Sequence, residues 1–220
     1  MKILIADELP QDKIEVLREK GYECIVEPDL KAEQIPERVS GIEILVVRST
    51  KVLSEVFDKS DSLGLVVRSG AGINTIDCQG AADSGIYVCN VPGTNSIAVA
   101  ELTMGLILAI DRHIPSATSD LKENRWNKKI YSDAEGLFGK TLGIVGLGEI
   151  GLAVAERARS FGITVLAKKA SRKPETESKI RSNGIKLVDT IEELISESDM
   201  ISIHLPSKSE TKNFVDEDFL

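Results

Sequence analysis

Cysteine and clustered basic charge are both scarce in this 220-residue sequence, and each scarcity excludes something. The three cysteines, Cys24, Cys78 and Cys89, are odd in number, scattered and without a CxxC pair. Neither a disulfide framework nor a zinc site is supported, and they read as small buried hydrophobes. Lys and Arg number 27 against 35 Asp and Glu, a net charge of −8. With no Lys/Arg cluster to displace counterions or meet lipid phosphates, nucleic acid and anionic membrane surfaces are poor partners. The longest apolar run, Ile97 to Ile110, is broken by Glu101 and too short to span a bilayer, and the N-terminus enters a strand at once. The expected location is the cytoplasm.

What is present is a regular alternation. At 42% hydrophobic and 28% charged residues the chain can bury a core. Strand-like runs at Ile3 to Ala6, Tyr22 to Val26, Ile42 to Val47, Leu65 to Val67 and Tyr87 to Val88 are spaced by helical patterns at Gln11 to Lys20, Ala32 to Val39, Leu53 to Lys59 and Ile76 to Ser84. This rhythm predicts an α/β fold, a doubly wound parallel sheet with helices on both faces. The segment Val91-Pro92-Gly93-Thr94-Asn95 cannot be regular structure, and a long apolar helix is expected from about Ser96 to Asp111. The domain boundary is placed there, giving units 1–97 and 98–220. After a polar stretch containing Trp126, strands at Leu142 to Val145, Thr164 to Ala167, Lys186 to Val188 and Ile201 to His204 are expected, with helices at Leu152 to Phe161 and Ile191 to Ser198. Four strands fall short of the six of a full dinucleotide domain, so the second unit reads as an incomplete Rossmann fold.

The most informative string is Gly146-x-Gly148-x-x-Gly151, which follows an apolar strand and opens an Ala-rich helix. Gly146 permits the tight turn, Gly148 lets the backbone approach a diphosphate, and Gly151 lets helix and strand pack closely. The helix N-terminus adds free N–H groups and partial positive charge. The bland alternative is an empty strand-turn-helix.

Several strings, taken in order, resemble the D-isomer-specific 2-hydroxyacid dehydrogenase family, most closely its phosphoglycerate dehydrogenase branch. They are Val47-Arg48-Ser49-Thr50-Lys51-Val52, Arg68 to Asp77, Asn90 to Asn95 with Val99-Ala100-Glu101, the glycine turn, and His204-Leu205-Pro206 with Glu210-Thr211-Lys212. The resemblance covers essentially the whole chain. It implies a flavodoxin-like substrate domain followed by the first part of an NAD(P)-binding Rossmann domain, and hydride transfer between an anionic 2-hydroxy acid and NAD.

By that resemblance Arg48 meets the substrate's phosphate or carboxylate, although alone it also reads as a surface ion pair. The turn Ser69, Gly70, Ala71, Gly72 to Asn74 would cradle a carboxylate on its N–H groups, or serve only as a tight connection. Glu149 and Ile150 occupy positions whose amides meet the pyrophosphate, and Leu205 and Pro206 match a loop flanking the cofactor. His204 reads as part of that wall, His113 as linker, and Trp126 as either local packing or a tip near a subunit contact.

The sequence departs from the family at Lys169, where the acidic residue that binds the ribose hydroxyls is expected. Lys168 and Lys169, with Arg172 beyond, would suit the 2′-phosphate of NADP. Alternatively they are solvated, and NAD binds through its pyrophosphate. The family's catalytic Arg, Glu and His would lie beyond Leu220, so this chain is expected to bind rather than turn over. The apolar girth of the Ser96 to Asp111 helix fits either a homodimer contact or a buried interdomain position.

Overall fold

A computed structural model describes residues 1–217 and residue 219. The chain forms two compact units, Met1–Thr94 and Asn95–Leu220. The division falls ahead of the whole apolar helix rather than inside its first turn at residues 97 and 98.

In the first unit, strands β1 (Lys2–Ile5), β2 (Glu23–Val26), β3 (Ile44–Val47), β4 (Leu65–Arg68) and β5 (Tyr87–Asn90) form a parallel sheet in the order β2-β1-β3-β4-β5. Side chains alternate across a strand, so each face of β1 feeds its own core. Ile3 and Ile5 pack with Ile14 of helix α1 (Gln11–Glu19). Leu4 and Ala6 join Ile35, Val39, Val56, Phe57 and Ala81 on the opposite face, where helices α2 (Ser54–Asp58) and α3 (Cys78–Asp83) lie.

Two expected elements differ, one in kind and one in its start. Residues Ala32–Glu37 form a 3-10 turn rather than an α-helix, because Pro36 inside it donates no N–H. The Ile76 to Ser84 helix starts at Cys78, because Ile76 pairs with Val52 in an isolated bridge and the Asp77 carboxylate caps the Gly80 N–H at 3.0 Å. Cys24 and Cys78 are partly buried, but Cys89 is exposed, against the expectation of three buried thiols.

In the second unit, helices α4 (Ser96–Asp111) and α5 (Ile114–Lys122) precede a parallel sheet ordered β8-β7-β6-β9, made of β6 (Thr141–Val145), β7 (Thr164–Lys168), β8 (Lys186–Val188) and β9 (Met200–Ile203). Helix α6 (Glu149–Ser160) buries Leu152, Val154, Ala155 and Ala158, against Ala100 and Met104 of α4 and Leu142, Ile144, Val165 and Ala167 of the sheet. The other face carries Val145, Leu166 and Val188 against Leu194 of α8 (Ile191–Ser196).

Helices α5 and α7 (Pro174–Ser182) were not expected. Neither carries a buried apolar stripe: α5 buries no residue and α7 buries only Ile180. The polar signals are there, with Pro at the start of each, Glu175 and Glu177 in the first turn of α7 and Lys179 and Arg181 in its last. Among the described residues no helix is long and apolar enough to cross a membrane.

Candidate functional site

Each unit gathers its candidate site residues at the carboxyl ends of its strands, where open parallel sheets bind ligands.

In the second unit β6 turns into α6 at Gly146, whose φ of +103° strains any side chain, and where a Cβ would lie 2.6 Å from the His204 carbonyl oxygen. A Cβ on Gly151 would approach the Gly146 oxygen to 2.1 Å. Gly148 is different in kind, since a Cβ there would meet nothing within 4 Å. Its lack of a side chain serves no internal contact, and it leaves open the surface that a diphosphate would cover. Gly148 is also the N-cap of α6 and has no side chain to cap it, so the first N–H groups of the helix, those of Glu149 and Ile150 among them, have no intrahelical acceptor. The Glu149 carboxylate is held by Lys179 of α7 at 3.3 Å. The residues fit a dinucleotide pyrophosphate.

Beside this turn a depression of about 460 Å³ is lined by Gly146, Leu147, Lys168 to Arg172, Ile191, Leu205 and Phe214, with Ile144 and Val145 at its floor. The structure brings Gly146, Lys169 and Leu205 together. Pro206 is not among the lining residues, and its carbonyl accepts the Thr211 hydroxyl at 2.6 Å. Lys169 is not simply solvated: its ammonium lies 2.6 Å from Asp189 Oδ1, which raises its pKa. The His204 ring meets the Ser202 hydroxyl at 2.9 Å, and burial lowers its pKa, so it is neutral at pH 7. His113 is the left-handed N-cap of α5 and pairs with Asp133 at 3.2 Å. Neither histidine lines the depression.

In the first unit the strand order reverses between β1 and β3, and Arg48 emerges just there. Its side chain has no hydrogen-bond or ion-pair partner among the described residues, and it lines a depression of about 630 Å³ with Glu8, Pro10, Ile14, Val26 and Pro28. An ion pair, the bland alternative, is therefore not observed. The loop that presents it hangs on Asp7, whose Oδ2 accepts the N–H groups of Arg48 (2.7 Å), Ser49 (3.1 Å) and Thr50 (3.1 Å). Burial works to raise the Asp7 pKa, but the three amides outweigh it and leave the carboxyl below its ordinary 3.8. A depressed folded pKa stabilises above the unfolded value and is lost as pH falls. Wild-type stability should therefore drop more steeply below about pH 4 than that of Asp7→Asn, as read by thermal melts across pH. Parallel curves would remove Asp7 from this role.

The Ser69–Asn74 loop has its carbonyls tied and its amides free. Gly70 O accepts from Val91 N (3.0 Å), Ala71 O from Asn90 Nδ2 (2.6 Å) and Gly72 O from Arg68 Nη1 (2.8 Å). Among the described residues, the N–H groups of Ala71, Gly72, Ile73 and Asn74 donate to no protein acceptor. Amides left without a protein acceptor beside pinned carbonyls are the arrangement that suits an anion.

Arg68 was not singled out from the sequence, yet it joins both halves of this site. Its Nε donates to Arg48 O at 3.1 Å while Nη1 holds Gly72. A Cβ on Gly70 would lie 2.9 Å from that same Nη1. The signal available was an arginine ending an apolar strand directly before a glycine-rich turn.

The tip after α5 is built on Asp120, which accepts from Tyr131 Oη (2.6 Å), Asn127 Nδ2 (3.0 Å) and Arg125 Nη2 (2.7 Å). These donors, Tyr131 first, hold its carboxyl at about 2. Trp126 stands 77% exposed on this tip, so local packing does not account for it.

Comparison with known proteins accords with this geometry. The D-isomer specific 2-hydroxyacid dehydrogenase, NAD binding domain, matches residues 104–220. D-3-phosphoglycerate dehydrogenase of Methanocaldococcus jannaschii is 41% identical over 216 residues, 98% of this chain and 40% of that protein. Hydroxypyruvate reductase of Thermotoga maritima is 37% identical over 97% of this chain and 68% of its own length. The crystal structure of the TT0316 protein from Thermus thermophilus superposes with a TM-score of 0.87 at 29% identity, covering 100% of this chain and 69% of that one. The chain thus spans about two fifths of the first relative and about two thirds of the second. It belongs to the D-isomer-specific 2-hydroxyacid dehydrogenase family, and residues 104–220 are that family's NAD-binding domain.

Proposed function

We infer that this chain serves an oxidoreductase of the D-3-phosphoglycerate dehydrogenase kind, moving a hydride between the CH–OH carbon of a phosphorylated D-2-hydroxy acid and a nicotinamide dinucleotide, as in serine biosynthesis. The observation that carries the reading is the presence, in one unit, of an Arg48 guanidinium and of the amides of Ala71 to Asn74, all without a protein partner among the described residues. A substrate with two anionic ends asks for two anion sites. Ser69, Gly70, Ala71, Gly72 and Asn74 would receive its carboxylate, and Arg48 its phosphate. Gly146, Gly148, Gly151 and the amides of Glu149 and Ile150 would hold the pyrophosphate, with Leu205 and Pro206 on the flanking loop. The dinucleotide supplies the hydride acceptor or donor.

The test is dinucleotide reduction assayed with 3-phosphoglycerate and, in the reverse sense, oxidation with hydroxypyruvate. Arg48→Ala should raise KM for the phosphorylated acid about tenfold or more, and leave hydroxypyruvate less affected. Equal loss on both would assign Arg48 to the carboxylate instead. A second reading, dinucleotide binding without turnover, is favoured by one observation: neither histidine lies among the residues lining either depression. Binding without turnover in the same assay supports it.

The exposed side chains of Leu102, Leu106 and Ile110 recur every fourth residue along α4, and we read this stripe as a homodimer contact. Leu106→Asp should convert a dimer to a monomer in sedimentation velocity. An unchanged sedimentation coefficient would remove the stripe from the interface.

A further inference from the structure

The depression beside the glycine turn has a rim of one charge. Of its lining residues Lys168, Lys169 and Arg172 are cationic and none is acidic. A ribose bearing a free 2′-hydroxyl is read by an acceptor at the end of the second Rossmann strand. Here β7 ends on Lys168 and continues Lys169-Ala170-Ser171-Arg172, which supplies two ammonium groups, a guanidinium and a hydroxyl.

The acid within reach of this loop is already engaged. Asp189, at the end of the neighbouring strand β8, is 2.6 Å from the Lys169 ammonium, and the Lys169 N–H donates to Val188 O at 2.8 Å, so the two strand ends are locked side by side. Glu193 adds a further negative field on Lys169, and Glu192 senses Lys168. All three acids belong to the β8–α8 side, and none lines the depression.

Arg172 is different, because no carboxylate pairs with it among the described residues. Its Nη2 donates to Lys168 O at 2.6 Å and Nη1 to Ala170 O at 3.3 Å. The guanidinium is therefore fixed across the loop by neutral acceptors, with its full charge uncompensated. A planar cation held in place before its ligand arrives is suited to a phosphate monoester dianion.

We propose that the β7–α7 loop selects the 2′-phosphorylated dinucleotide, with Arg172 as the principal phosphate ligand and the Ser171 hydroxyl beside it. Lys169 is a reserve cation, restrained by Asp189, that can exchange its carboxylate partner for the phosphate. Asp189 then acts against the preferred cofactor, since it competes with the phosphate for Lys169. This rests on the second unit being a dinucleotide site, and the experiment separates the two claims.

NADH and NADPH are titrated against the purified chain by cofactor fluorescence, with 2′,5′-ADP and 5′-ADP as competitors, on wild type, Arg172→Ala and Asp189→Ala. Circular dichroism confirms that each variant is folded. NADPH should bind about tenfold or more tightly than NADH, and Arg172→Ala should remove about tenfold of NADPH affinity while sparing NADH. Asp189→Ala should tighten NADPH and leave NADH unchanged. NADH binding as well as or better than NADPH overturns the proposal alone. The same holds if Asp189→Ala weakens NADH, which would make Asp189 the ribose acceptor. Failure of both dinucleotides to bind folded protein overturns the cofactor reading and this inference together.

Discussion

Gly151→Ala is expected to damage the second unit more than any other single methyl group added at the site. The new Cβ would sit 2.1 Å from the Gly146 carbonyl oxygen and 3.2 Å from Ile144 Cγ2. The first of these is backbone, so it cannot swing aside. Either α6 moves off β6, or the turn at Gly146 opens. The helix is anchored by Leu152, Val154, Ala155 and Ala158, all buried, so displacing it disturbs the packing on α4 as well. Overpacking of this kind costs about 2–3 kcal/mol, and should lower the melting temperature by about 5–10 °C in a chain of this size. Dinucleotide affinity should fall with it, because the amides at the start of α6 lose their position relative to the turn. Differential scanning calorimetry and fluorescence titration on the same sample check both. A melt within a degree of wild type would mean that helix and strand are not in the close contact described.

Arg68→Met is expected to disable the first unit's anion site without unfolding it. The side chain donates to Arg48 O and Gly72 O, the two loops that would hold the opposite ends of one substrate. Methionine retains much of the aliphatic stem but none of the donors. Losing hydrogen bonds from a charged donor costs about 1.5–3 kcal/mol, which translates into about tenfold or more in substrate affinity. NADH or NADPH binding, which belongs to the other unit, should be unchanged, and so should the far-ultraviolet dichroism. If KM for the phosphorylated acid is unaltered, Arg68 is a structural stitch with no bearing on the site.

Both consequences come from residues that differ sharply in how legible they were. The glycine turn could be read in the sequence because its requirements are local: three glycines at fixed offsets, an apolar strand before them and Ala-rich helix after. The five-strand and four-strand sheets could be read because buried parallel strands show as short apolar runs. Helices α5 and α7 were missed because neither buries an apolar face in its unit's core. The proline at the start of each and the charge order of α7 are their local signals, and in α7 Ile180 alone sets no period. The Lys169–Asp189 pair was missed for another reason. It joins residues twenty apart in sequence through the register of β7 with β8, and nothing in either residue's neighbourhood shows which strands will be adjacent. Arg68 falls between these cases, since its position was visible but its two carbonyl partners were not.

The most direct test of the dinucleotide site uses Gly148→Ser. A Cβ at Gly148 meets nothing within 4 Å and the residue lies in extended backbone. Serine is as good an N-cap as glycine, so the variant should fold and melt as wild type does. Its side chain would stand where the pyrophosphate must approach. Calorimetric titration of wild type with NADH and NADPH should give saturable binding, and the variant should lose about tenfold or more of it at an unchanged melting temperature. Binding by the variant equal to wild type, or no binding by folded wild type, would contradict the assignment of this turn to a dinucleotide.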